Sequence, residues 1–93
     1  MTLKMLRRKI DALDKGICEA LAQRMRFMPL VAREKRKKKL PIKDVKRENE
    51  AIKERVWWSS KRGLKDARFI TQIFTHIMAK SRKEQAKSLT RKR

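Results

Sequence analysis

Residues 3–38, LKMLRRKIDALDKGICEALAQRMRFMPLVAREKRKK, decide how this chain folds. Apolar side chains fall at Leu3, Leu6, Ile10, Leu13, Ile17, Ala20, Leu21, Phe27, Met28 and Val31, mostly in steps of three and four. A helix of 3.6 residues per turn puts them all on one face. The helix should run to about Lys38, because Pro41 disfavours helical geometry at Leu40. At 1.5 Å per residue it would be about 54 Å long. Gly16 and Pro29 lie inside it, and Pro29, lacking an amide hydrogen, should kink the axis.

Two shorter segments follow. Asp44 is placed to cap a second helix over about 44–60, with Val45, Ile52 and Val56 on one face. After SSKRG (59–63), Asp66 is placed to cap a third over about 66–88, carrying Phe69, Ile70, Ile73, Phe74, Ile77 and Met78. The basic tail, residues 89–93, should fray. With two glycines, two prolines, no tyrosine and 42% charged residues, the composition also favours helices over a sheet. The expected class is all-α, in a single domain of 93 residues.

The lengths point to a partner. The second and third helices would be about 25 and 35 Å long, too short to cover a first helix of about 54 Å. An uncovered apolar stripe promotes association, so the chain is expected to be a homodimer, joined through its first helix.

A formal charge of +19 selects anionic partners: nucleic acid, an acidic membrane surface or a small polyanion. Cys18, the only cysteine, excludes an internal disulfide or a thiolate metal site and reads as a small core filler. The N-terminal stretch lacks the apolar core of a secretory signal, and no apolar run nears the roughly 20 residues of a membrane span. The expectation is a cytoplasmic protein.

Several polar residues stand beside apolar stripes. Ser81 and Gln85 continue the stripe of the third helix, four residues apart. Either the helix runs out into solvent at Ser81, or both side chains need partners. Glu48, three residues after Val45 and four before Ile52, is either an exposed carboxylate paired with a lysine such as Lys53 or an acid set beside the core. Arg24 and Lys35 are eleven residues apart, nearly three turns, so they share a face about 16.5 Å apart along the axis. Two long side chains leaning together there leave a gap suited to a small dianion. Arg7 is too far from Arg24 to serve the same site within one protomer. There is no glycine-rich phosphate loop, and the lone His76 offers no Ser/His/Asp or Cys/His set. A reaction here would depend on binding and electrostatics.

In order and spacing, LRRKIDALD (6–14), AQRM (22–25), VAREK (31–35), PIKDVKRE (41–48) and SRKEQ (81–85) resemble the all-helical, AroQ-class chorismate mutases. The resemblance implies an intertwined homodimer of three-helix protomers that rearranges chorismate to prephenate in aromatic amino-acid biosynthesis, without cofactor or metal. It implies that Arg7 reaches from the partner protomer to a substrate carboxylate, and that Arg24 clamps a carboxylate from within. Lys35 would contact a carboxylate and the ether oxygen, and Gln85 would donate to that oxygen. Asp44 would meet the substrate hydroxyl through its backbone, with Glu48 accepting from that hydroxyl, Arg47 in support and Ser81 near a carboxylate. Besides a regulatory or catalytically inactive homologue of the same family, two other readings remain at this point. One is an isochorismate pyruvate lyase on the same fold, suggested by RVWWSSKRGL (55–64); the other is a basic helical module that binds nucleic acid.

Overall fold

The computed structural model describes residues 1–90. The first helix begins where the Thr2 hydroxyl accepts from the Met5 amide at 3.2 Å, so α1 spans Leu3–Arg26. It does not reach Lys38 unbroken. At Phe27 the ladder is interrupted, and α2 spans Met28–Lys37. Phe27 keeps helical angles, its amide donates to the Arg24 carbonyl at 3.2 Å, and its carbonyl accepts from Val31 at 3.0 Å. The interruption lies two residues before Pro29, at a residue that stays helical. The proline sits in the first turn of α2, where an amide has no partner to lose.

Two helices stop by the same device. After α2, Leu40 donates to the Lys35 carbonyl at 2.8 Å and Lys39 to Arg36 at 3.1 Å, with Lys39 left-handed at φ 56°. After α3 (Val45–Lys61), Leu64 donates to Ser59 at 3.0 Å and Gly63 to Ser60 at 3.1 Å, with Gly63 at φ 92°. Both are Schellman closures. The second uses glycine at the left-handed position; the first strains a lysine there. Asp44 Oδ1 accepts from the Arg47 amide at 3.1 Å to open α3, and Asp66 Oδ1 from Phe69 at 3.0 Å to open α4 (Ala67–Thr90). The fraying expected of the basic tail, 89–93, falls partly on residues 91–93, outside the described residues.

The described residues thus form an all-helical chain of three helical segments, the first of them broken once into α1 and α2. α4 is the centre, packed against α2 on one side and α3 on the other. Met28, Ala32, Ala51, Ile70 and Met78 are its buried apolar residues. α1 has no fully buried residue, and Ile10, Leu13 and Ile17 are 54, 69 and 58% exposed. Cys18, expected in the core, is exposed for the same reason, because its helix projects beyond the packed region. A folded monomer of 11.2 kDa should expose about 5,700 Å². This chain exposes 7869 Å². Its radius of gyration is 16.5 Å, against about 12 Å for a compact domain of this length.

Candidate functional site

Where α2, α3 and α4 converge beside the end of α1, a cavity of about 280 Å³ opens. That is close to the lower end of the range for small-molecule pockets, about 300–1,000 Å³. Seven of the eight residues singled out from the sequence line it: Arg24 from the last turn of α1, Lys35 from α2, Asp44 at the α3 cap, Arg47 and Glu48 from the first turn of α3, and Ser81 and Gln85 from α4. Met28, Val31, Ala51 and Met78 supply apolar wall. Arg7 is elsewhere, on the projecting part of α1 beside Leu3, Lys4, Arg8 and Asp11. It lies seventeen residues from Arg24, about 25 Å along the helix.

Ser81 and Gln85 do not run out into solvent; each is 5% exposed, and each has a partner. Ser81 receives a hydrogen bond from Arg24 Nη1 and donates back to the Ile77 carbonyl at 2.8 Å. The guanidinium of α1 is thereby fixed against α4. Gln85 Oε1 accepts from Lys35 Nζ at 3.0 Å, while its amide nitrogen faces Met28 Sδ at 3.6 Å, a weak acceptor. Lys35 Nζ also donates to the Ile42 carbonyl at 2.5 Å, which ties the basic loop to the cavity rim. Lys35 retains a third hydrogen, and Gln85 has N–H groups held only by a sulfur. Both can turn to a better acceptor.

Glu48 pairs with Arg82 of α4, its Oε1 2.5 Å from Nη1, and not with Lys53. Asp44 spends one carboxylate oxygen on the helix cap. Arg47 and Arg55 both approach Glu54, at 3.9 and 3.6 Å. Arg55 also lies over the rings of Trp58 and Phe74, at 5.0 and 5.5 Å. Among the described residues, Arg24 and Lys35 are in no ion pair.

Sequence reasoning missed Arg55 and Arg82, both of which line the cavity. A signal for Arg82 existed: Met78, Ser81, Arg82 and Gln85 are spaced i, i+3, i+4, i+7, the same stripe that marked Ser81 and Gln85. Arg55 stands four residues after buried Ala51 and seven after Glu48, on one face of α3.

Five cations and two carboxylates line the cavity, a surplus of three positive charges. The Arg24 guanidinium is held below its usual range, first by burial and then by the nearby charges of Arg55 and Arg47. It stays charged at neutral pH, since guanidinium does not deprotonate in proteins. A bound anion would offset the repulsion from Arg55 and Arg47 and give the part-buried charge a partner.

Fold and site together define a class: an all-helical protein with a small cationic pocket among its helices, suited to a compact multiply charged anion. Within that class the family is also shown. The family model for chorismate mutase type II matches residues 6–86, and the chain belongs to that family. Comparison with curated proteins and with solved structures gave no match. No helix among the described residues is long and apolar enough to cross a membrane.

Proposed function

We propose that the protein is a chorismate mutase, an isomerase that converts chorismate to prephenate for phenylalanine and tyrosine synthesis in the cytoplasm. The observation that carries this reading is the cavity in which two unpaired cations, Arg24 and Lys35, stand with Gln85, in a chain of this family. The substrate carries two carboxylates, which match those cations in charge.

The rearrangement breaks a C–O bond as a C–C bond forms within one molecule, so it needs no general base, nucleophile or cofactor. Two effects suffice. Clamping the carboxylates selects the compact conformer in which the reacting carbons meet, a proximity effect. Lys35 and Gln85 then stabilise negative charge as it develops on the ether oxygen, each turning from its present partner to a stronger acceptor. Glu48 accepts from the ring hydroxyl, Asp44 offers backbone contact there, Arg47 supports, and Ser81 holds Arg24 in place.

The active form is a homodimer. This is supported by the roughly 2,200 Å² of surface beyond that of a compact monomer, which falls within the range of obligate interfaces. α1 supplies much of it, and packing two copies along α1 would carry Arg7 of each protomer toward the other's cavity. The remaining positive charge speeds capture of a dianion and adds incidental, salt-sensitive association with nucleic acid.

The deciding experiment follows chorismate absorbance with purified protein and no added metal or cofactor. Turnover to prephenate, with a fall of about 10²–10³ in kcat for Gln85→Ala, is the expected result. Inert chorismate, together with release of salicylate from isochorismate, would replace this reading with the lyase. Steep salt-dependent binding to random DNA with neither turnover would replace it with a nucleic-acid module.

A further inference from the structure

Glu48 and Arg82 form the wall between two hollows. On one side is the cavity with Arg24, Lys35 and Gln85; on the other is a smaller groove of about 230 Å³ lined by Lys43, Asn49 and Thr75. Met78 completes the wall and lines both. Both charged side chains are partly buried, at 22 and 27% exposure, so solvent screens them less than a surface pair.

The position of this carboxylate poses a problem for an anion site. A glutamate has three side-chain torsions, and Glu48 shares its cavity with two cations that have no acidic partner of their own. Left alone, it would be drawn to Lys35 or Arg24 and would occupy the charges an incoming dianion requires. Arg82 supplies the competing counter-charge on the far wall.

We propose that Arg82 is a positioning residue that holds Glu48 away from Arg24 and Lys35 and so keeps the anion site open. The pair occupies Oε1 of Glu48 and leaves Oε2 without a partner among the described residues, available to a ligand hydroxyl. Arg82 thereby selects for a ligand that is dianionic at one end and bears a hydroxyl at the other. The inference deepens the mutase reading and rests on it for the identity of the ligand, though not for the charge competition itself.

The test uses a probe independent of turnover: isophthalate, a rigid dicarboxylate, titrated calorimetrically into the full chain. Arg82→Gln should weaken binding by about tenfold, because Glu48 then competes for the cations. Adding Glu48→Gln to that variant should restore the affinity, and Arg82→Lys should retain most of it. Lys53→Gln, which removes one exposed charge from the same helix as Glu48, should change binding less than twofold. With chorismate, Arg82→Gln should raise KM far more than it lowers kcat. Unchanged isophthalate affinity in Arg82→Gln overturns the proposal. So does failure of the double variant to recover, which would mean that Arg82 binds the anion itself or only supports packing. If wild type binds isophthalate in this pattern but leaves chorismate unchanged, the mutase reading fails and the role of Arg82 stands.

Discussion

Replacing Lys35 with alanine tests the site most sharply. Lys35 Nζ gives one hydrogen bond to the Ile42 carbonyl at 2.5 Å and one to Gln85 Oε1 at 3.0 Å. In the proposed reaction it would turn a donor toward the ether oxygen, and losing one preorganised donor of this kind costs about 2.7–4 kcal/mol, or 10²–10³ in kcat. The fold pays separately. Gln85 is 5% exposed, so its orphaned oxygen costs about 1–3 kcal/mol. Relief of repulsion among the cavity cations offsets part of this. Two assays separate the effects: kcat from chorismate absorbance, at a temperature where circular dichroism shows the variant folded, and stability from urea denaturation. Lys38→Ala, three residues along on the exposed surface, is the comparison. If both variants lowered kcat equally, or if Lys35→Ala lost activity only in step with unfolding, the assignment of Lys35 to the reacting oxygen would be wrong.

Charging the α1 stripe, for example Leu13→Lys, should convert a dimer in sedimentation velocity to monomer, and it should remove the concentration dependence of Tm expected for wild type. Lys39→Gly should raise stability by about 0.5–1 kcal/mol in urea denaturation, since Lys39 sits at φ 56°, and should leave kcat unchanged. Hydrogen bonds from Lys80 and then Lys87 hold the Glu84 carboxyl below its ordinary value of 4.5. A carboxyl lowered on folding adds stability above that value and loses it as pH falls through the folded value. Glu84→Gln should therefore be slightly less stable than wild type at pH 7, and the difference should vanish on acidification, as read by Tm across pH.

The helices were legible because their signals are local. Apolar spacing of three and four marks a face whatever the tertiary partner, and Asp44 and Asp66 cap through bonds to amides three residues on. Arg24, Lys35, Glu48, Ser81 and Gln85 were legible as anomalies on those faces, and the family pattern joined them. The break lies at Phe27, two residues before Pro29, because a proline is accommodated inside a helix's first turn.

What only the tertiary structure decided is which charge meets which. With 29 basic residues in the chain, nothing local pairs Glu48 with Arg82, 34 positions away, in preference to neighbouring Lys53. That choice depends on how α3 lies across α4, a packing outcome that also brings Arg55 over Phe74 and into the cavity wall. The sequence by itself determined the helices, their caps and the helix faces that carry Arg24, Lys35, Glu48, Ser81 and Gln85. Long-range packing determined the pairing inside that site, because ion-pair partners are chosen by distance in space and helix periodicity reports only distance along one element.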